Sequence, residues 1–162
     1  MKRSTLQTEI KKRNPFDSPE VEAHLNIIRT YGMLMGRLVR LFKRHGLSPA
    51  QYNILRILRG VGGDGLPCLE LSEQMVTRVP DVTRLVDRLE EAGLVARVRC
   101  TKDRRVVWVK ITDQGLALLA KLDQPVLEAN KKNLGHMSHR ELAQISRLMT
   151  KARQFAEPGE AD

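Results

Sequence analysis

The chain has 162 residues, 41% of them hydrophobic and 29% charged, with a formal net charge of +9 and an isoelectric point near 10.0. That length suits one domain with a real core and leaves little room for two. No apolar run approaches the ~18 residues that a membrane-spanning helix needs, and the first 16 residues lack the apolar core of a signal peptide, so we expect a cytoplasmic protein without a membrane partner. The positive charge predicts an anionic partner, with nucleic acid first among the candidates.

The cysteines and histidines argue against a disulfide framework, a metal site and a catalytic centre. Cys68 and Cys100 are too few and too unpatterned for a disulfide framework or a zinc finger. We expect both to be reduced and packed, with oxidation of Cys100 left open. The four histidines form no convincing metal set, and no serine lies in a nucleophile elbow. The sequence therefore predicts no cofactor, no metal and no enzymatic activity.

The chain begins with a polar, basic stretch that is followed by a long helix. Residues 1–17 carry basic side chains but few apolar anchors, which predicts a flexible basic arm. Ser18, Pro19 and Glu20 are typical of a helix start, and the first helix is expected from about Pro19 to His45. Its apolar residues wrap more than one face, so it must be covered on more than one side. A second subunit is the natural cover.

Two more helices are predicted on either side of a glycine-rich loop. Ser48 and Gln51 form a capping-box pattern with Pro49 in the first turn, and this helix is expected to stop near Gly60. Residues 60–65 are typical of a loop. A short third helix is indicated by Leu69, Leu71 and Met75. A tight turn then leads into the next helix.

That next helix is amphipathic. Its apolar residues fall at i, i+3, i+4 and i+7, namely Val82, Leu85, Val86 and Leu89. This spacing predicts that one face packs inward. The opposite face is charged and carries Arg84, Asp87, Arg88 and Glu91. Pro80 is predicted in the first turn, Asp81 at the positive end of the helix dipole, and Gly93 at the stop.

Alternating apolar and polar residues predict a two-stranded ribbon after this helix. The strands are expected over residues 94–100 and 106–111, so residues 101–105 form the tip between them. From Arg97 to Arg105 there are five basic residues and one acid, Asp103. A tip with this charge needs an anionic partner or open water.

Trp108 is predicted on the ribbon face that carries Arg97, Arg99 and Lys110. It could stack on an arginine or approach DNA, but packing against a neighbouring element is the favoured interpretation.

Two further helices complete the chain. Thr112 caps a long helix, and Pro125 inside its apolar pattern predicts a kink. Ser138 and Glu141 form a capping box that opens the last helix. The residues expected to face inward from it are Leu142, Ile145, Leu148, Met149, Ala152 and Phe155. With the first helix, these two are predicted to form a dimerisation scaffold.

Four linked motifs resemble the MarR family of winged helix-turn-helix transcriptional regulators. They are LSEQM at 71–75, VTRLVDRLE with GLV at 82–95, DRR at 103–105 and ITDQG at 111–115. The resemblance covers roughly residues 20–155 and implies a mainly α fold with a small β-hairpin wing. It implies one domain over residues 18–157, with a winged helix-turn-helix lobe over 48–112 and dimerisation helices over 18–46 and 113–157.

The resemblance also implies which residues meet DNA. A recognition helix presents its N-terminal residues to base edges in the major groove, and the candidates here are Pro80, Asp81, Thr83, Arg84 and Arg88. The opening at 79–81 departs from the small polar residues commoner in the family, which leaves the bases that are read open.

On the wing, the resemblance makes Lys102, Arg104 and Arg105 the DNA-binding candidates. MarR-like wings pin one arginine against a nearby acid and insert the other into the minor groove, where it reads groove shape. Which of Arg104 and Arg105 inserts stays open.

Together these features predict a homodimeric, sequence-specific regulator of double-stranded DNA, a repressor in preference to an activator, acting on a pseudo-palindromic operator. The resemblance further suggests a small aromatic effector. Its candidate contacts are Tyr31, Met35, His45 and Tyr52, which are equally good core residues. The alternative from another functional class is a winged-helix protein-interaction module that binds an acidic partner.

Overall fold

A computed structural model of the protein describes residues 5–99 and 107–154. Within these ranges the elements are, in chain order, α1 (Thr5–Glu9), α2 (Pro19–Arg44), α3 (Pro49–Val61), β1 (Leu66–Pro67), α4 (Cys68–Glu73), α5 (Val82–Glu91), β2 (Val95–Arg99), β3 (Val107–Ile111), α6 (Asp113–Leu134) and α7 (His139–Gln154). The mainly helical fold with a small antiparallel sheet that the sequence predicts is confirmed.

Side-chain caps fix where the principal helices begin. Ser48 Oγ accepts the Gln51 N–H at 3.2 Å while Gln51 Oε1 accepts the Ser48 N–H at 2.9 Å. Ser138 and Glu141 exchange the same pair of bonds at 3.3 and 2.8 Å. Each cap satisfies N–H groups that have no partner inside the helix, and a capping side chain stabilises its helix by about 1 kcal/mol. These predicted starts are confirmed.

The core lies beneath α5, between α3, the sheet and the first half of α6. It is closed by side chains with 0% exposure, among them Ile54, Leu55, Leu58, Leu71, Val86, Leu89, Val109, Leu119 and Leu122. They come from five different elements, so α5 cannot shift without disturbing all of its neighbours. The core therefore holds α5 in a fixed position at the surface.

The sheet has three strands in the order β1-β3-β2, both pairs antiparallel. β1 was not predicted: residues 60–65 were interpreted as a loop that leads directly into a helix. Leu66 pairs with Val109 and Pro67 with Trp108. A two-residue strand is too short to show alternation, and its pairing depends on a strand some 40 residues away in the sequence, so local pattern did not reveal it.

The predicted side for Trp108 is wrong. Val98 lies opposite Trp108, and Arg97 lies opposite Val109. Since directly opposed residues share a face, Trp108 lies with Val98 and Lys110, while Arg97 lies on the other face with the buried Val109. Alternation within each strand was correct, but it does not determine the register between two strands.

The predicted flexible arm over residues 1–17 contains a short helix, α1, which corrects that expectation for residues 5–9. Leu6 is 3% exposed, and Glu9 Oε2 accepts the Nε–H of Arg29 on α2 at 2.7 Å. Leu6 and Ile10 are one helical turn apart and, with Leu25 of α2, line one apolar groove. The buried Leu6 is the apolar anchor that the composition of the whole stretch concealed.

The helical scaffold keeps much of its apolar surface exposed. All of α7 lies within the described residues, and none of its residues is buried; Ile145 and Leu148, which were predicted to face inward, are 40% and 43% exposed. Phe155 lies outside the described residues. α6 continues through Pro125 as one helix. Among the described residues, no helix is both long enough and apolar enough to span a bilayer.

Candidate nucleic-acid interface

α5 presents a polar face to solvent because its apolar face is held by the core. Val82, Val86 and Leu89 are at most 7% exposed, whereas Thr83, Arg84 and Arg88 on the opposite face are exposed. Three of the predicted DNA-contacting residues therefore lie together on one surface of one helix. That surface can enter a groove without any rearrangement of the core.

Asp81, not Pro80, opens this helix. Asp81 is the N-cap, and its Oδ1 accepts the Arg84 N–H at 2.9 Å. Pro80 precedes the cap, so its predicted place in the first turn is wrong. Asp81 is favoured at the N-cap because its carboxylate can accept a backbone N–H that has no partner inside the helix. A proline ring has no such acceptor.

The same carboxylate also holds the side chain of Arg84. Asp81 Oδ2 lies 3.0 Å from Arg84 Nε, and the Arg84 side chain remains 82% exposed. The guanidinium is therefore held at the N-terminal end of α5 while its outer nitrogens stay open to solvent. A bidentate contact with a guanine edge needs those outer nitrogens.

Arg97 ties the wing to α5. Its guanidinium donates to Asp87 at 2.6 Å and to Glu90 at 2.6 Å, and its backbone N–H donates to Glu90 at 2.9 Å. Burial opposes its positive charge, but the hydrogen bonds that Arg97 donates to Asp87 and then Glu90 outweigh that cost and raise the pKa of Arg97. The charges of Asp87 and Glu90 are thus compensated, so these two acids repel an approaching phosphate less.

The predicted wing contacts Lys102, Arg104 and Arg105 lie outside the described residues. The strands that lead to them are described: β2 ends at the exposed Arg99 and β3 resumes at Val107. The basic tip of the ribbon stays a prediction from the sequence.

A close junction joins the end of α5 to the start of α6. Thr112 Oγ1 donates to the Gly93 carbonyl at 2.7 Å and accepts the Gly115 N–H at 3.1 Å. A side chain at Gly115 would collide with the Leu94 carbonyl and with Ile111. Only glycine lets the first turn of α6 approach so closely, so the start of α6 is held against the end of α5.

Three of the four predicted effector contacts line one cavity of about 390 Å³ between α2, α3 and α6. They are Tyr31, Met35 and Tyr52. The fourth, His45, is instead the exposed C-cap of α2. Tyr52 stacks on Phe42 with ring centroids 4.3 Å apart, which fixes the position of its ring in the cavity wall.

Sequence reasoning missed the polar residues of this cavity wall, which are Asn53, Arg56, Thr77 and Asn130. Arg56 donates to the Tyr52 hydroxyl at 3.1 Å, and Asn53 Oδ1 accepts the Val76 N–H at 2.9 Å. The Tyr52 and Arg56 spacing of i, i+4 was visible in the sequence and places both on one helix face. The Asn53 bond reaches a loop 23 residues away and has no local signal.

Comparison with known proteins identifies the family. Residues 47–107 match the model of the MarR family. The crystal structure of a MarR transcription factor from Planctomyces limnophilus is 42% identical in sequence, with a TM-score of 0.66, and the match covers 83% of this chain and 98% of that one. The chain belongs to the MarR family.

Two further relatives extend the match. The HTH-type transcriptional repressor MdtR of Bacillus subtilis is 29% identical over 143 residues, covering 86% of this chain and 88% of the repressor. Bordetella bronchiseptica BpsR, whose DNA binding is regulated by 6-hydroxynicotinic acid, has a TM-score of 0.72 at 21% identity, with coverage of 82% and 98%. This MarR-family protein is a DNA-binding transcriptional regulator.

In chain order, the short helix α4 is followed by α5 and then by the paired strands β2 and β3. Across residues 5–99 and 107–154, no three His, Cys, Asp or Glu side chains come together in a way that could hold a metal ion. Cys68 is a half-buried free thiol at the start of α4, while Cys100 lies outside the described residues.

Proposed function

We propose that this MarR-family protein is a homodimeric repressor that binds a pseudo-palindromic operator in double-stranded DNA. The observation that supports direct sequence reading is the surface of α5: its apolar face is buried while Thr83, Arg84 and Arg88 face solvent. Two such helices related by a two-fold axis would read half-sites about 34–36 Å apart.

Homodimer formation is supported by the exposed apolar residues of the scaffold, which we assign to residues 18–46 and 113–157. Met33 is 69% exposed and Ile28 53%, and Ile145 and Leu148 add to the same kind of surface on α7. Fully burying one such side chain stabilises an association by about 1.5–3 kcal/mol. A second copy of the chain offers the same apolar surface in return, as a two-fold interface requires.

Each DNA-binding residue receives a separate role. Arg84 pairs with a guanine edge and provides about 1–3 kcal/mol of discrimination, and Arg88, one turn later, contacts a phosphate. Thr83 adjoins the bases, while Pro80 and Asp81 set the entry of the helix. Lys102, Arg104 and Arg105 on the wing bind the flanking minor groove, where charge and groove shape determine affinity.

We also propose that a small aromatic acid acts as an effector in the 390 Å³ cavity. Its volume falls in the range of small-molecule sites, Tyr31 and Tyr52 offer aromatic walls, and the Arg56 guanidinium can meet a carboxylate. The hydrogen bond that the Val76 N–H donates to Asn53 links that wall to the loop before α5. An effector must bind the DNA-incompetent arrangement more tightly, since equal affinity shifts nothing.

A binding titration tests the DNA proposal. A duplex is first selected from a random library with the wild-type protein, and fluorescence anisotropy then compares the selected and scrambled duplexes at several salt concentrations. Arg84→Gln should lose about 1–3 kcal/mol on the selected duplex and little on the scrambled one. Arg104→Ala combined with Arg105→Ala should weaken both duplexes and flatten the salt slope.

Arg140→Gln on α7 is the matched control, because it removes the same charge from an exposed site on the scaffold. Equal losses for Arg84→Gln and Arg140→Gln would contradict base reading by α5. If polyglutamate bound as tightly as the selected duplex, the alternative of an acidic protein partner would replace the operator.

A further inference from the structure

A second groove, of about 270 Å³, lies between α2 and α6 and concentrates positive charge. Arg37, Arg40 and Arg44 line it from α2 and Lys132 lines it from α6, with Glu128 as the one acid among its lining residues. None of these residues lines the effector cavity. The groove is therefore a separate opening with a different chemistry.

The cations of this groove have no salt bridge with any residue in 5–99 or 107–154. Other arginines in the same part of the chain do have acidic partners, as Arg59 and Arg97 show. Like charges at i, i+3 and i, i+4 on a helix repel each other. The row of arginines on α2 therefore destabilises the isolated protein, and a bound anion would reduce the repulsion between them.

The helix dipole does not explain the whole row. Arg44 lies in the last turn of α2, where a cation is favoured by the carbonyl end of the helix. Arg37 lies about two turns earlier, beyond the reach of that effect. The feature that Arg37 shares with Arg40 and Lys132 is that all three line this groove.

We propose that this groove binds a small organic polyanion that carries two or more phosphate or carboxylate groups. At 1.5 Å per residue, the row from Arg37 to Arg44 extends roughly 10 Å along the helix, which suits several acidic groups in sequence. Guanidinium groups hold phosphate and carboxylate oxygens in pairs. Leu41, Pro125 and Ala129 form a half-buried apolar floor for the body of the ligand. The site is distinct from both the DNA surface and the aromatic-acid cavity.

Calorimetric titration of the full-length protein with sodium tripolyphosphate at fixed ionic strength tests the proposal. Arg37→Gln with Arg40→Gln should weaken binding at least tenfold. R140Q/R147Q removes the same charge from α7 and is the control, which should stay within twofold of wild type. R84Q/R88Q on α5 reports whether the anion binds the DNA surface instead. A parallel titration with citrate distinguishes a carboxylate site from a phosphate site.

Several outcomes would overturn the site. They are unchanged binding in R37Q/R40Q, an equal loss in R140Q/R147Q, or a loss confined to R84Q/R88Q, which would assign the anion to the DNA surface. Sedimentation tests a further outcome. If wild type is a dimer that does not bind tripolyphosphate, and R37Q/R40Q is a monomer, the cations pair with acids of a second copy instead. Should R37Q/R40Q fail to fold, Lys132→Gln decides, with an expected loss of at least threefold.

Discussion

The winged lobe and the helical scaffold bury their apolar residues in different ways. In the lobe, α3 and α5 each contribute three buried side chains to a core that is closed within one chain. In the scaffold, the described helix α7 contributes none, and Met33 of α2 is 69% exposed. The core of the lobe, to which α6 adds Leu119 and Leu122, is therefore closed within one chain, whereas α7 and the outer face of α2 leave apolar side chains exposed. Substitutions should act on folding in the first region and on association in the second.

The largest effect should come from the core beneath α5. Leu89 is 0% exposed, so Leu89→Ala leaves a cavity and should lower the free energy of unfolding by about 2–5 kcal/mol. Leu69→Ala is the matched control because Leu69 is 73% exposed, and its effect should stay within about 0.5 kcal/mol. Urea unfolding at one protein concentration measures both. Equal effects would show that the lobe is not closed as described.

Substitutions in the exposed apolar surface of the scaffold should weaken association more than they lower the free energy of unfolding. Leu148 is 43% exposed on α7, so Leu148→Lys should remove about 1.5–3 kcal/mol of interface burial and raise the dimer dissociation constant roughly tenfold to a hundredfold. Ala143→Lys adds the same charge on the opposite face of α7, where Ala143 is exposed, and should change the constant little. Sedimentation equilibrium over a concentration series measures the constant. An unchanged constant in Leu148→Lys would remove α7 from the interface.

The features that could be predicted from the sequence are those that depend on residues close together in the chain. Helix starts depend on neighbouring residues, so Ser18, Ser48, Thr112 and Ser138 were identified and each caps its helix. The apolar face of α5 follows from spacing alone and is confirmed by the burial of Val86 and Leu89. These features need no information from distant parts of the chain.

Features that depend on distant pairing could not be predicted in this way. β1 exists because β3 lies beside it, and the side of Trp108 depends on the register of two strands. The surface of α5 shows the same division: the exposure of Thr83, Arg84 and Arg88 follows from the spacing within one helix, but the bonds of Arg97 to Asp87 and Glu90 join two elements. Strand pairing, strand register and bonds between elements depend on contacts between distant residues, which a local sequence pattern does not reveal.

The junction of the two regions offers an intermediate effect. Gly115→Ala places a methyl group against the Leu94 carbonyl, so α6 must shift and the free energy of unfolding should fall by about 1–3 kcal/mol. Gly60→Ala in α3 is the control, since a side chain there meets no atom within 4 Å and should stabilise by about 0.5–1 kcal/mol. Thermal unfolding of both variants distinguishes a loss from a gain. A gain in Gly115→Ala would show that the junction is loose.

The smallest effect should come from an ion pair that spans the two regions. Arg59 of α3 donates two hydrogen bonds to Asp123 of α6, both at 2.8 Å. The hydrogen bond from Arg59 lowers the pKa of Asp123 below its ordinary value of 3.8. Their side chains are 29% and 45% exposed, so solvent screening limits the pair to about 0.5–1 kcal/mol.

The pH dependence identifies this pair, because a carboxylate with a lowered pKa stabilises the fold only while it is ionised. Wild type should exceed Asp123→Asn in stability by a constant amount above about pH 5, and the difference should vanish as the pH falls through 3.8 and below. Asp64→Asn is the control, since Asp64 is an exposed loop acid without a salt bridge among the described residues. In Arg59→Gln, the Asp123→Asn difference should disappear at every pH. If it persisted there, Asp123 would act on α6 alone, and the two regions would be joined by apolar contacts and the Thr112 junction without this pair.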